Sequence, residues 1–232
     1  MTQDFLRSAK SDFRRNTVCI ARKADKAAHK KDKSDSAFQF PRRSIICPEC
    51  GAYMRVITGS ARGCRLITPE GMDVRPTGEK VKEGVFSSIQ FEIEGAYVLD
   101  LFAGSGQLGI EALSRGAARC IFVDNSPRSL RCVNENLRNT KLAVRADVVN
   151  RDSYDYIRLT AQTFDIIFLD PPYRYGHIRK LLPLAAAKLR SGGSIVCEYE
   201  REAGQPSAPD GMTLKKVYKY GKINIAVFNT NL

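Results

Sequence analysis

Two short stretches of the chain carry residue types that can do chemistry together. The first is Asp170-Pro171-Pro172-Tyr173, directly after the apolar run Phe164–Leu169. Two prolines at the end of a buried strand remove two backbone donors and fix two φ angles. Such a turn holds a carboxylate, a carbonyl and an aromatic ring in fixed directions. The second is Gly104-Ser105-Gly106-Gln107-Leu108-Gly109, between the apolar run Tyr97–Ala103 and a helical pattern. Glycines there permit a sharp turn and a close approach of a ligand to the main chain.

The acids around the glycine turn narrow the ligand. Asp100 lies just before it, and Phe102-Ala103 separate the strand from the first glycine. An anionic pyrophosphate would be repelled by Asp100, whereas a sulfonium or an α-ammonium would be attracted. S-adenosylmethionine carries both cations. Asp124 ends the next strand and can accept from ribose hydroxyls, and Asp152 after the third strand can accept from an adenine amine. Phe102, Gly104 and Gly106 complete the expected cofactor site.

Methyl transfer from a sulfonium is an in-line displacement, so the acceptor's lone pair must aim at the methyl carbon. The exocyclic amine of a nucleobase delocalises that lone pair into its ring. Acceptors on both N–H groups, the Asp170 carboxylate and the Pro171 carbonyl, hold the amine and favour the geometry that frees it. Pro172 stiffens the turn, and Tyr173 can stack on the base, worth about 1–3 kcal/mol. A base inside a helix cannot reach such a pocket, so the substrate is single-stranded, looped or flipped.

These parts need a frame, and the sequence supplies one. Strand and helix patterns alternate from residue 95 to the end, which implies a doubly wound, mostly parallel α/β sheet of seven strands. The last two strands, around Gly221-Lys222, are expected to add an antiparallel strand at one edge. Residues 55–69 read as a β-hairpin. Residues 77–90 read as a helix, with Thr77 as N-cap and Glu79 in its first turn. Residues 177–190 read as a helix kinked at Pro183. Three regions follow: 1–53, a basic extension expected to be disordered; 54–94, a hairpin and helix; and 95–232, the catalytic domain. Met54 is an alternative start, since Gly51-Ala52-Tyr53 can be encoded as a ribosome-binding site.

The 232 residues carry a net charge of +12. Residues 1–53 hold 12 Lys/Arg against 6 Asp/Glu, and residues 54–232 hold 25 against 19, so each part is +6. A basic balance favours polyanions. Arg55, Arg62 and Arg65 on the hairpin, Arg75, Lys80 and Lys82 at the helix, and Arg174 beside the proline turn are the candidate phosphate contacts. No apolar run approaches membrane-spanning length. The seven scattered cysteines suit a reducing, cytoplasmic compartment better than a disulfide framework. Cys47-Pro48-Glu49-Cys50 has zinc-knuckle spacing, but no second pair of ligands follows, so no metal is expected.

The glycine turn together with Asp170–Tyr173 resembles class I S-adenosylmethionine-dependent amino-methyltransferases. The block from Met54 to Ile89, with Arg75-Pro76-Thr77 and Lys80-Val81-Lys82-Glu83, resembles the family that methylates guanine N2 in 16S ribosomal RNA. The resemblance covers about residues 54–230. It implies an enzyme whose partner is 16S rRNA, in the small subunit or its assembly intermediate, with guanine 966 as the target; a monomer is expected. Gly78 departs from the polar residue more usual there, and residues 1–53 have no counterpart. Other readings are an adenine-N6 methyltransferase of DNA or RNA, a dinucleotide-dependent oxidoreductase, and a non-catalytic RNA-binding protein.

Overall fold

The computed structural model describes residues 54–69, 78–171 and 177–230. The basic extension, Cys47, Cys50, Arg75, Thr77, Pro172, Tyr173 and Arg174 lie outside the described residues.

Seven strands form one sheet in the order β3-β2-β1-β4-β5-β7-β6. They are β1 (Tyr97–Asp100), β2 (Arg119–Asp124), β3 (Ala146–Asn150), β4 (Phe164–Leu169), β5 (Leu189–Glu200), β6 (Met212–Tyr220) and β7 (Ile223–Thr230). The first five are parallel, and β7 runs antiparallel to both β5 and β6. The terminal hairpin thus adds two strands, with β7 inserted beside β5 and β6 outermost.

The helices are α1 (Glu79–Ser88), α2 (Gln107–Ser114), α3 (Pro127–Asn139), α4 (Ser153–Leu159) and α5 (His177–Ala186). Helix α3 shows the local logic. Pro127 presets the first turn, the Ser126 hydroxyl accepts from Ser129 N–H, and Leu130, Val133 and Leu137 share the buried face. Helix α1 begins at Gly78 as N-cap, with no side-chain cap, one residue later than the Thr77 reading. Helix α5 contains Pro183 but ends at Ala186, because β5 begins at Leu189 and claims the residues read as its last turn.

Alternation along each strand divides the core between the two faces. Val98, Phe122, Ile166, Phe168 and Val196 pack with Phe86, Ile89, Ile110 and Val133 on one side. Leu99, Val123, Ile167, Leu169 and Ile195 pack with Ile157, Leu181 and Leu182 on the other. Each such side chain contributes about 1.5–3 kcal/mol when fully buried. Residues 54–69 join the first face through Val56, Ala61 and Leu66.

The expected hairpin at 55–69 is reduced to a single antiparallel bridge, Arg55 to Arg65. Within it Val56 N–H donates to Cys64 C=O, Gly63 N–H to Val56 C=O and Leu66 N–H to Met54 C=O, at 3.0, 2.8 and 2.9 Å, and other groups are satisfied by the helices. Ile57 and Thr58 N–H donate to the carboxylate of Glu111 in α2, at 2.8 and 3.0 Å. Ile67 N–H and C=O are both bonded by the Asn136 side chain of α3, at 2.7 and 2.9 Å. The segment is a short hairpin hooked over α2 and α3.

Among the described residues no helix is long and apolar enough to cross a membrane. The described cysteines, Cys64, Cys120, Cys132 and Cys197, are free thiols.

Candidate active site

Strands β2 and β4 flank β1, and the order of crossovers reverses between β1 and β4. A crevice opens beyond the carboxyl ends of the strands at such a reversal. Asp100 pairs with Phe122 of β2 and Phe168 of β4, so the glycine turn and the Asp170 turn leave adjacent strands.

The glycine turn is tightly fixed. Leu101 N–H donates to Phe168 C=O and Ala103 N–H to Val123 C=O, at 3.2 and 3.0 Å. Gly104 and Gly106 have φ of 53° and 78°, a region that L side chains rarely adopt. A Cβ on Gly104 would meet nothing within 4 Å, so this residue faces open space. Gly109 serves a different purpose. Its φ is not positive, but a Cβ there would lie 2.3 Å from Phe122, so it lets α2 close onto β2.

The acids divide into different tasks. Asp124 Oδ2 accepts from Gly104 N–H and Oδ1 from Ser126 N–H, both at 2.8 Å, tying the end of β2 to the glycine turn. Burial raises its carboxyl above the usual range, and those backbone donors partly offset the rise. Asp100 is 2% exposed and accepts from Gly109 N–H at 3.0 Å. Burial pushes it up to about 7, against the Gly109 bond and with help from the Asp124 charge. Asp152 Oδ1 caps α4, accepting from Tyr154 and Asp155 N–H; part of the carboxylate read as an adenine contact is thus spent on the helix start. Phe102 is half-buried and packs toward the second core face.

Asp170 follows the last β4 residue, Leu169, which pairs with Cys197 of β5. The next residue of β5 is Glu198, buried at 6% exposure. Burial, then the charges of Glu198 and Asp100, hold the Asp170 carboxyl well above its ordinary value. Pro171 is buried beside it. Asp100 of β1, Asp170 just after β4 and Glu198 of β5 therefore make this end of the sheet cation-seeking.

Several participants were missed by sequence reasoning. The Ser153 hydroxyl donates to Leu101 C=O at 2.6 Å, fastening α4 to the start of the glycine turn. Gln107, in the first turn of α2, keeps its Oε1 buried with no protein partner. Asn136 donates to Ser105 C=O at 2.9 Å while holding Ile67, so it joins the hook to the glycine turn. Asn136→Ala is expected to lower stability by about 2 kcal/mol, since it strips partners from three backbone groups. Thermal melting should show a drop of about 4–8 °C.

The candidate phosphate contacts do not form one group. Arg55 is exposed but ion-paired with Glu79, Nε to Oε1 at 2.8 Å. Arg65 is exposed opposite it, and Lys80 is exposed at the start of α1. Arg62 is exposed at the tip of the hook, beside Ser114 at the C-terminal end of α2, away from the crevice. Lys82 corrects the reading: it is 1% exposed, and its ammonium donates to Arg55 C=O at 2.8 Å. Burial lowers its pKa, opposed chiefly by the Glu111 charge. A side chain so enclosed cannot reach a phosphate. A cavity of about 420 Å³ lined by Thr58, Glu94, Arg115 and Arg145 also sits at the C-terminal end of α2. That is the opposite end of the strands from the crevice, and it gathers both signs of charge.

Comparison with known proteins is consistent with this geometry. A family model described as conserved hypothetical protein 95 matches residues 54–229. The Bacillus subtilis protein YlbH, named as an rRNA methyltransferase, is 39% identical over 180 residues, covering 75% of this chain and 98% of its own. Ribosomal RNA small subunit methyltransferase D of Haemophilus influenzae is 30% identical over 190 residues, covering 80% and 98%. The solved structure of the Escherichia coli protein yhhF is similar with a TM-score of 0.69 at 31% identity, covering 77% of this chain and 98% of that one.

Proposed function

The chain belongs to the family described as conserved hypothetical protein 95, and from that premise we propose that it methylates ribosomal RNA of the small subunit. The target is the exocyclic N2 amine of a guanine, position 966 of 16S rRNA by resemblance, and the donor is S-adenosylmethionine. The observation that carries this reading is the adjacency of the Gly104 turn and Asp170 at the ends of neighbouring strands. Relatives named as small-subunit rRNA methyltransferases support the substrate class. The working unit is a single chain in the cytoplasm.

The residues present suit the donor. Asp100, Asp170 and Glu198 favour a cation, Gly104 leaves open space above the turn, and Gln107 Oε1 is an acceptor in need of a donor. Asp124 would hold the ribose hydroxyls and Asp152 the adenine. When bound, S-adenosylmethionine supplies an electrophilic methyl on a sulfonium. Asp170 accepts one N–H of the target amine, and the Pro171 carbonyl accepts the other. As the N–C bond forms, the nitrogen becomes positive, and Asp170 stabilises it more than it did the neutral amine. Asp170, already hydrogen-bonded to that amine, would take the proton that the methylated nitrogen sheds. Tyr173 stacks on the base. Arg55, Arg65 and Lys80, with Arg75 and Arg174, contact phosphates.

The test is incubation with labelled S-adenosylmethionine and under-methylated small subunits, followed by mapping of the modified nucleoside. N2-methylguanosine is expected. N6-methyladenosine, or no transfer, would overturn the reading.

A pH dependence follows from Asp100. Its folded pKa of about 7 lies above the ordinary carboxylate value. The folded state therefore binds a proton that the unfolded state has lost, and stability declines as pH rises from about 4 through 7. Ionised Asp100 attracts a cation, so donor affinity should rise over the same range. Calorimetric titration at pH 6, 7 and 8 should show donor affinity falling up to about tenfold per unit below pH 7. Asp100→Asn should bind more weakly and lose that dependence. A wild type with pH-independent affinity would remove Asp100 from the cation site.

A further inference from the structure

The β6–β7 hairpin carries cations that no role above uses. Residues 212–222 contain Lys215, Lys216, Lys219 and Lys222 and no acid. Strand β6 is the last of the sheet, and lysines on an edge strand discourage edge-to-edge association. That accounts for cations along the strand but not for where they gather.

Ile223 of β7 lies opposite Glu200, the last residue of β5, and Tyr220 lies opposite Ile223. The β6–β7 turn therefore stands at the carboxyl end of β5, the same end of the sheet as Asp170. Lys219 and Lys222 are exposed there. Arg201, exposed just after β5, donates its N–H to Lys222 C=O at 2.9 Å. Lys80 joins them from α1, because the Tyr220 hydroxyl donates to its C=O at 3.4 Å. Four exposed cations from three chain segments stand at this end of the sheet, Lys80 on the α1 face and Lys219 on the other, against the exposed acids Glu83, Glu200 and Glu202. Lys215 and Lys216 are engaged elsewhere, the first with Glu92 and the second over the Tyr218 ring.

The rim is held in place. The Tyr218 and Tyr220 rings stack with centroids 6.4 Å apart. Both pack on α1 at Gly84, where a Cβ would lie 2.3 Å from the Tyr220 hydroxyl oxygen. From β4 to β6 is three strand spacings, about 14 Å, a span that a few nucleotides of a bound strand can cross.

We propose that this rim is a phosphate-contacting wall for the substrate RNA, in which Lys219, Lys222, Arg201 and Lys80 hold the backbone of the strand whose base sits at Asp170. The inference rests on the function proposed above and adds a second side to its RNA surface. Lysine ammoniums act there as point charges that fix the strand's register without reading its bases.

The test is a Lys219→Glu/Lys222→Glu double variant of the full chain, with naked 16S rRNA as the probe. RNA affinity should fall at least about tenfold near 0.1 M salt, and the slope of log affinity against log salt should shrink by about two. Donor affinity, melting temperature and turnover at saturating RNA should stay at wild-type values. Lys219→Gln/Lys222→Gln should show the same salt-slope change with a smaller loss of affinity. Unchanged RNA affinity and salt slope in both variants, with a wild type that methylates small-subunit RNA, would overturn the wall and leave the enzyme standing. A wild type that binds RNA but does not methylate it would sink the function instead, and the binding measurements would still decide the wall.

Discussion

Asp170→Asn is expected to cut methyl transfer at saturating donor by about 10³-fold, with a smaller loss of donor affinity because one of the three acids that favour the cation is gone. Removing one preorganised group that faces developing charge costs about 10²–10³ in rate, and here the charge itself is lost. Asparagine keeps the size of the side chain and one acceptor oxygen, so the amine can still dock. What disappears is the anion that meets the nitrogen as it turns positive. Burial, Glu198 and Asp100 raise the carboxyl of Asp170, which would blunt it as an anion if the crevice stayed empty. A sulfonium and a positive nitrogen reverse that balance, because nearby cations favour the ionised form.

The same environment makes the variant a clean test. A raised folded pKa means that ionising Asp170 opposes folding as pH climbs above the ordinary carboxylate range. Asp170→Asn should therefore melt no lower than wild type at pH 8. Single-turnover transfer, calorimetric donor binding and thermal melting separate the possibilities. Near-normal transfer by a folded variant would show that the amine is activated by something other than this carboxylate.

The parts of this site visible in the sequence are those set by one strand end at a time. Asp100, Asp124 and Asp170 each close an apolar run, and the α/β alternation places every strand end on one rim. The glycine turn was legible for the same reason. The misreadings arise where a side chain serves a distant segment. Arg55–Thr58 has the composition of a strand, yet the N–H groups of Ile57 and Thr58 go to Glu111, more than 50 residues away. Lys82 looks like a solvated helix charge until the hook covers it and offers Arg55 C=O. Asp152 is no misreading: an acid after a strand can cap the next helix and still face a ligand, and its Oδ1 does the first. Glu198 was hidden because a strand reading Cys197-Glu198-Tyr199-Glu200 resembles an outward-facing edge. Only the sheet order, with β7 on its far side, makes it interior.

Glu111 is the residue whose loss should damage the fold most. It is fully buried in α2. Its carboxylate accepts from Ile57 and Thr58 N–H and pairs with Arg115 at 2.8 Å. Its charge also supports the buried ammonium of Lys82. Glu111→Ala strands two hydrogen-bond donors and two cations, so a loss of about 3–5 kcal/mol is expected at pH 7. Glu111→Gln keeps one acceptor and the volume, and should lose less. The sign of the pH dependence is specific. Without Glu111, burial lowers the Lys82 pKa further, so the unfolded chain holds a proton that the folded chain sheds. Stability of the alanine variant should then rise with pH, and its deficit should narrow between pH 7 and 9. Because the hook reaches Ser105 through Asn136, the loosening should also weaken donor binding several-fold. Urea denaturation at the two pH values decides the matter. A deficit below about 1 kcal/mol, or one that widens at pH 9, would mean that the hook is held by its apolar contacts and not by this carboxylate.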